Sequence, residues 1–250
     1  MMVEALYYTG RGRIREKNED SLVVGDIIFN RGELEEVRSR ILEGEGLIFA
    51  VADGMGGYPG GEVASGVIVN ELRREKDSIG RALERARMRM REIGLENKVL
   101  SHMGSVVSGI FLEDKTVKIF NVGDSRTYLY RDSLKQMTED DSYVWELLAG
   151  KGLSPGELHE EIRHHYKKNI VTSALTGERG RYNLAEKRME AEVGDRFLIC
   201  SDGLWEEMEY SFIEECLEME GLKGARRLLE RANIEARDNI SFIIVEIKSK

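Results

Sequence analysis

The chain has 250 residues, of which 41% are hydrophobic and 33% charged, and it carries a net charge of −9 at pH 7. This composition is typical of a soluble globular protein, and no Pro-, Gly- or Ser-rich linker interrupts it, so we expect one domain over residues 1–250. The acidic balance disfavours nucleic acid and anionic membrane surfaces as partners, and no apolar stretch is long enough to span a bilayer.

The N-terminus carries neither a basic leader nor an apolar signal core, which predicts a cytoplasmic protein. The two cysteines lie in different predicted elements, Cys200 in an apolar run and Cys216 on a helix. Their spacing matches no metal or disulfide pattern, so we interpret both as buried structural thiols.

Continuous apolar runs predict the strands of the core sheets. In chain order these runs are 47–52, 105–112, 115–122, 127–130, 196–200 and 240–247. The three runs between 105 and 130 are joined by connections too short for crossover helices, which predicts an antiparallel meander.

The spacing of apolar residues predicts a helix around 64–72 and a second over 79–93, for which Ser78 is the expected cap. Further helices are predicted over 141–149, 210–219 and 222–232, with Gly221 separating the last two. Because the helices are clustered and do not alternate with strands, the favoured fold class is α+β, with helices packed on antiparallel sheets.

Four aspartates are expected at the turn ends of apolar strands: Asp20, Asp53, Asp202 and Asp238. Any one of them alone is better explained as a turn residue or a helix cap. Several carboxylates brought together repel one another unless a cation neutralises them, and oxygen ligands favour magnesium or manganese over zinc or copper. As a set, they predict a divalent metal site.

The motifs around these aspartates follow one another along nearly the whole chain. They are Arg15-x-x-x-Glu19-Asp20, Asp53-Gly54-Met55-Gly56-Gly57, Val122-Gly123-Asp124-Ser125-Arg126, Ser201-Asp202-Gly203-Leu204-Trp205 and Arg237-Asp238-Asn239-Ile240-Ser241. In this order they resemble the motifs of the metal-dependent serine/threonine protein phosphatases of type 2C. The resemblance implies a sandwich of two antiparallel β-sheets flanked by helices, in agreement with the α+β class.

The resemblance also implies a division of roles among the site residues. Asp53 would bridge two metal ions, either Mn²⁺ or Mg²⁺, and the Gly54 carbonyl would bind one of them. Asp202 and Asp238 would complete the coordination of the other ion.

Outer roles follow from the same resemblance. Glu19 and Asp20 would hold metal-bound waters or touch the ions directly, and Asp124 resembles the residue that helps to bind a weaker third ion. Asn239 is either a simple turn former or a residue that orients Asp238.

The expected catalytic set consists of Arg15, Asp53, Asp202 and Asp238. Two ions that share a water lower its pKa toward neutrality and direct the resulting hydroxide at phosphorus. Arg15 is the best candidate for bidentate binding of the phosphate.

The proton for the leaving alkoxide is a separate question. Many members of the family carry a histidine after Asp-Gly, where this chain has Met55, which cannot donate a proton. A metal-bound water, His164 or His165 are the alternatives.

The segment 141–169 resembles the flap beside the catalytic cleft of the family, although an ordinary solvated loop is the simpler alternative. Within it, Lys167 and Lys168 are hypothesised to attract phosphorylated segments. His159 and His164 are five residues apart and would diverge around a helix, so we expect surface histidines in place of a zinc site.

The sequence thus predicts a cytoplasmic phosphatase that acts on phosphoserine and phosphothreonine in proteins and opposes a serine/threonine kinase. One alternative is a non-catalytic module of the same fold that binds phosphoproteins. A two-metal nuclease is a second alternative, disfavoured by the acidic surface.

Overall fold

The computed structural model describes residues 1–55, 59–75, 78–178 and 180–249. Gly56 and Gly57 of the second motif therefore lie outside the described residues. The strands are β1 (Met2–Gly10), β2 (Ser21–Val24), β3 (Ile27–Asn30), β4 (Arg38–Glu43), β5 (Leu47–Gly54), β6 (Gly104–Glu113), β7 (Thr116–Val122), β8 (Arg126–Arg131), β9 (Ser133–Gln136), β10 (Leu175–Thr176), β11 (Ala185–Glu190), β12 (Arg196–Cys200) and β13 (Ile240–Ser249). The helices are α1 (Gly61–Arg74), α2 (Ile79–Glu96), α3 (Tyr143–Leu148), α4 (Pro155–His164), α5 (Asp202–Trp205), α6 (Tyr210–Glu218) and α7 (Leu222–Ala232).

The strands form two antiparallel sheets. The first has the order β4-β1-β13-β12-β8-β9, and the second has the order β11-β7-β6-β5-β2-β3, with β10 paired to β6. Long central strands set the register, since β1 pairs with β13 from Met2 opposite Ser249 to Gly10 opposite Ile240.

Three apolar clusters divide the molecule into four layers. The inner faces of the two sheets pack together through buried residues such as Phe49, Ile110, Phe197 and Ile243. The outer face of the second sheet packs on α1 and α2, and the outer face of the first sheet packs on α3 to α7. This arrangement confirms the predicted sandwich of two antiparallel sheets flanked by helices.

All of the predicted strands occur, with ends that differ by no more than about two residues from the expected ones. The predicted meander is wrong in its last step. β6 and β7 do pair, but β8 leaves their sheet and pairs with β12 and β9 in the other one. The connection at Gly123, whose φ is +101°, carries the chain from one sheet to the other.

The predicted helices also occur, and Ser78 caps α2 by accepting a hydrogen bond from the backbone N–H of Arg81. Gly221 separates α6 from α7 with a φ of +57°. Within the described ranges, no helix combines the length and the apolar character that a membrane crossing requires.

Candidate metal centre

Strand pairing in the first sheet brings two of the predicted aspartates to one edge of the sandwich. Cys200, at the end of β12, pairs with Phe242, near the start of β13. Asp202 follows the first strand and Asp238 precedes the second, so the antiparallel register places both at the same end of the sheet.

The second sheet brings the other two aspartates to its own edge in the same way. Ser21, the first residue of β2, pairs with Ala52, near the end of β5. Asp20, which directly precedes β2, and Asp53, in β5, therefore stand side by side.

All four aspartates lie at strand ends, but Asp20 and Asp238 precede their strands, whereas Asp53 and Asp202 lie where theirs finish. In antiparallel pairs the start of one strand lies beside the end of its neighbour, so two leading and two trailing aspartates reach the same edge.

Asp124 lies in the connection through which the chain passes from the second sheet to the first. Its carbonyl oxygen accepts a hydrogen bond from Nε1 of Trp205 at 3.2 Å. The preceding residue, Gly123, donates its backbone N–H to Oδ2 of Asp141 at 2.8 Å. Asp124 is thus held in place from both sides.

The glycines that follow Asp53 and Asp202 are required by close packing of the backbone. A Cβ on Gly54 would lie 2.4 Å from the carbonyl carbon of Gly61, and a Cβ on Gly203 would lie 2.1 Å from the carbonyl oxygen of Asn239. These distances are too short for any side chain. The two Asp-Gly pairs therefore mark places where another segment presses against a predicted ligand.

A cavity of about 440 Å³ opens at this edge of the sandwich, and we call it the acidic cavity. Its predicted site residues are Arg15, Glu19, Asp53, Gly54, Asp124, Asp202 and Asp238, and its remaining lining is Met55, Val106 and residues 169–171. Asp20 lies just behind the lining and is 1% exposed. The structure therefore brings the predicted ligands together, with Asp20 beneath them.

Burial and mutual repulsion make these carboxyl groups hard to ionise. Desolvation, followed by repulsion from neighbouring carboxylates, raises the pKa of Asp53 and of Asp202 well above the usual value. Desolvation likewise raises the pKa of Asp20 and of Asp124 to about 7. The largest cause for Glu19 is also desolvation, which raises its pKa. A cluster of this kind favours a positive partner.

Asp20 supplies a direct sign that a cation fits here. Its Oδ2 accepts a hydrogen bond from Oγ of Ser201 at 3.0 Å, whereas its buried Oδ1 has no hydrogen-bond partner within the described part of the chain. A buried oxygen without a donor costs free energy, and a hard divalent cation would satisfy it.

The donor set consists of carboxylate oxygens and the Gly54 carbonyl, which suits Mg²⁺ or Mn²⁺. Among the described residues, no three of these side chains already stand in the geometry that holds a metal ion. Asp238 is instead paired with Arg15. The residues fit a divalent ion by their chemistry and burial rather than by a preformed coordination shell.

Arg15 stands at the edge of the acidic cavity. Its Nη2 donates to Oδ2 of Asp238 at 2.5 Å, while 43% of its side chain is exposed. The hydrogen bond to Asp238 is the largest cause that raises the pKa of Arg15. The guanidinium thus lies among the predicted metal ligands, and its binding of phosphate stays a prediction.

Asn239 connects the segment that carries Arg15 and Glu19 to the start of β13. Its Nδ2 donates to the carbonyl oxygens of Arg11 and Lys17, at 3.0 and 2.8 Å, and its Oδ1 accepts from the backbone N–H of Glu19 at 2.9 Å. Its own N–H donates to Oδ1 of the neighbouring Asp238 at 2.8 Å. Asn239 therefore contacts both Asp238 and the segment that carries Arg15 and Glu19, and its role in orienting Asp238 stays a prediction.

The segment 141–169 forms α3 and α4, and its start is hydrogen-bonded to the residues that follow its end. The backbone N–H of Tyr143 donates to the carbonyl of Ile170 at 2.9 Å. Lys168 makes an ion pair with Glu206, which follows α5 directly. Lys168 is thus already engaged by an acidic partner, and neither His164 nor His165 belongs to the described lining of the acidic cavity.

Glu206 is a site residue that sequence reasoning missed. It is the largest source of repulsion on Asp202 after desolvation, and it also repels Asp124. Glu206 lies four residues after Asp202, which is about one helical turn. That spacing could have predicted that the two side chains lie close together.

A buried network around Arg126 was missed as well. The guanidinium is fully buried, and its Nε and Nη2 donate to the carboxylate of Asp140 at 2.9 and 2.6 Å. Its Nη1 donates to the hydroxyl of Tyr128 and to Nδ1 of His159, and its Cζ lies 3.5 Å from the centre of the Trp205 ring. This network supports Trp205, which in turn binds the carbonyl of Asp124.

The expectation of surface histidines is wrong for His159, which is 1% exposed, and correct for His164. Because Arg126 can only donate, Nδ1 of His159 must accept, and its Nε2–H donates to the carbonyl of Met208 at 2.9 Å. Desolvation lowers the pKa of His159 to about 3, so the ring is neutral. His159 precedes the buried Ile162 by three residues, and that spacing places both on the inner face of α4.

Comparison with known proteins gives a consistent family assignment, although no family model matches the chain. The chain is 32% identical to the serine/threonine protein phosphatase PstP of Mycobacterium tuberculosis, over 95% of this chain and 43% of that protein. It is also 32% identical to the serine/threonine phosphatase stp of Listeria innocua, over 98% of this chain and 96% of that protein. The chain thus spans less than half the length of the mycobacterial relative.

A solved structure supports the same relationship at the level of the fold. The catalytic domain of PstP, crystallised in complex with two manganese ions, matches with a TM-score of 0.78 and 28% sequence identity. The match covers 100% of both chains.

The raised pKa values predict how pH affects the metal-free protein. A carboxyl group whose folded pKa lies above its unfolded value stabilises the fold fully below about pH 4, and this stabilisation is lost as pH rises through about 7. In chelator, the free energy of unfolding of the wild type should therefore fall between these limits, and Asp124→Asn should reduce the slope measured by urea denaturation.

The matched control for this experiment is Asp114→Asn, on the exposed turn between β6 and β7. It should keep the wild-type slope. An Asp124→Asn slope identical to that of the wild type would show that the buried aspartate does not titrate as its surroundings imply.

The Arg126 network predicts that replacing His159 lowers the free energy of unfolding much more than replacing His164, the other histidine of α4. His159→Phe leaves an N–H of Arg126 and the carbonyl of Met208 without partners, and should lower the free energy of unfolding by about 2–3 kcal/mol. His164→Phe, on the exposed face, should change it by less than about 0.5 kcal/mol. Urea denaturation measures both, and equal effects would contradict the network.

Proposed function

The chain belongs to the metal-dependent serine/threonine protein phosphatases of type 2C, and from this premise we propose that it hydrolyses phosphoserine and phosphothreonine in proteins. The observation that carries the proposal is the acidic cavity itself. It combines buried oxygen ligands for divalent ions with one guanidinium, that of Arg15, at the edge where a phosphate would enter. Phosphate monoester hydrolysis uses both features.

The ligand roles in this proposal follow the arrangement of the two sheet edges. Asp53, at the end of β5, would bridge two ions, and the Gly54 carbonyl would bind one of them. Asp202 and Asp238, from the other sheet, would hold the second ion. When bound, two divalent ions supply a water activated for attack on phosphorus.

The remaining acidic groups would have supporting roles. We propose that Glu19 and Asp20 hold metal-bound waters or touch the two metal ions directly, and that Asp124 helps to bind a third ion. Mn²⁺ and Mg²⁺ both suit this donor set, and the two manganese ions in the PstP structure support the two-ion arrangement.

Arg15 would bind and orient the phosphate. Its Nη2 is anchored by Asp238, which fixes the guanidinium beside the metal ligands, and a guanidinium offers further N–H groups in a planar fork. Met55 lines the cavity but has no proton for the leaving oxygen, and we propose that water supplies it.

The segment 141–169 would act as the flap beside this cleft. Its joined ends and the contact of Lys168 with Glu206 hold it against the cavity mouth, where residues 169–171 contribute to the lining. The proposed substrates are phosphorylated proteins, and a serine/threonine kinase would perform the opposite reaction. The proposed location is the cytoplasm.

The primary test is the release of phosphate from a phosphothreonine peptide, measured with Mn²⁺, with Mg²⁺ and with chelator. Release should require a metal, and Asp202→Asn should lower the rate by more than about 100-fold, because a metal ligand is lost. Asp132→Asn, on an exposed turn between β8 and β9, is the matched control and should keep the wild-type rate.

Metal binding is followed separately as the rise in melting temperature caused by Mn²⁺, which Asp53→Asn should largely remove. A wild-type protein that binds Mn²⁺ but releases no phosphate would favour the phosphoprotein-binding module of the same fold. An unchanged rise in Asp53→Asn would contradict the bridging role of this residue.

A second test addresses Arg15. Arg15→Lys keeps the charge but loses the planar fork, so kcat/KM for the phosphopeptide should fall about tenfold, and about 100-fold in Arg15→Ala. Arg13→Lys changes a neighbouring exposed arginine that contacts the carbonyl of Ile234, and it should have little effect. Wild-type kinetics in Arg15→Lys would exclude bidentate phosphate binding.

A further inference from the structure

A second cavity of about 540 Å³ is lined in part by the 141–169 segment and shares no lining residue with the acidic cavity. We call it the basic groove. It lies between strand β11 on one side and helices α3 and α4 on the other, with β8 and β9 at its base. Its volume falls in the range of small-molecule sites in proteins.

The charged side chains that line the basic groove itself are all basic. They are Arg131, Lys135 and Lys187, and no carboxylate lines the groove among the described residues. Carboxylates line the adjoining cavity, which shares Lys187 with the groove.

The three cations differ in how far they are neutralised. Arg131 is bound by Asp195 and Glu192, with N–O distances of 2.6 and 2.5 Å. Lys135 and Lys187 are both exposed, and across the described ranges of the chain neither lies within ion-pair distance of an acidic side chain. Two lysine charges therefore remain available to an anion that enters the groove.

The walls between these cations are largely apolar. Met137, Trp145, Leu158 and Met189 are half-buried and face the groove while packing on the core clusters behind it. A thioether, an indole ring and a branched aliphatic chain offer an adaptable surface for a flat apolar group.

We propose that the basic groove binds a small amphipathic anion, with an aromatic or aliphatic body and one carboxylate, sulfonate or phosphate group. The body would lie against Trp145 and Leu158, and the anionic group would pair with Lys135 and Lys187. The site requires neither metal nor phosphoprotein, so its test is independent of the proposed function.

The probe is 1-anilinonaphthalene-8-sulfonate, titrated into the full chain in chelator and followed by its fluorescence. The wild type should bind one equivalent. The double variant Lys135→Glu/Lys187→Glu should weaken the dissociation constant by about tenfold or more, since two attractions become repulsions. Lys98→Glu/Lys223→Glu makes the same change of charge at exposed positions elsewhere and should bind like the wild type.

A neutral analogue, N-phenyl-1-naphthylamine, separates the charge from the apolar contact. It should bind the wild type and the Lys135→Glu/Lys187→Glu variant equally, because it lacks the sulfonate. The proposal is overturned if the sulfonate probe binds both double variants with the same affinity, if it binds with more than one equivalent, or if the neutral analogue is weakened as much as the anion.

Discussion

The constraint on which the site depends is the burial of several carboxyl groups in one small space. Asp53 and Asp202 come from different sheets, and each is desolvated and repelled by the other acidic groups of the cavity. Such groups either retain their protons or require cations. At neutral pH the folded protein must therefore keep some of these carboxyl groups protonated or bind a cation beside them. The orphaned Oδ1 of Asp20 shows the same need at the level of a single atom.

Hydrogen bonds in the surrounding structure hold the acidic groups in place against this repulsion. Asn239 fixes the loop of Arg15 and Glu19 to the start of β13, and the Arg126 network holds Trp205 against the carbonyl of Asp124. Arg126 is itself a buried charge, which is tolerable because Asp140 and His159 complete its hydrogen bonds. Rigid backing of this kind keeps the acidic groups in place when their charge changes.

The sequence was informative for the longer, continuous apolar strands and uninformative for short strands or strands interrupted by polar residues, including the buried strands β1 and β2. Strands β5, β6, β12 and β13 are continuous apolar runs because both of their faces are covered, and they were predicted. Strand β11 was not predicted, because it is an edge strand whose side chains are mostly exposed and charged.

The site itself was predictable to a different extent. The acidic residues that line the cavity were predicted because the motifs occur in family order, but neither the position of Glu206 nor the burial of His159 follows from a motif. Their roles depend on which helix packs where. The path of β8 into the other sheet was hidden for the same reason, since a short connection such as the one at Gly123 can either turn a hairpin or cross a sandwich.

The charge of the acidic cavity also determines the order in which it can be filled. A phosphate monoester is an anion. The single guanidinium, that of Arg15, is already paired with Asp238 and cannot outweigh the carboxylates that face it. The cavity can therefore accept a phosphate only after its own negative charge has been offset. Asp238 and the contacts of Asn239 fix the position of Arg15 in the substrate-free protein, so a phosphate bound as proposed would meet a guanidinium that is already in place.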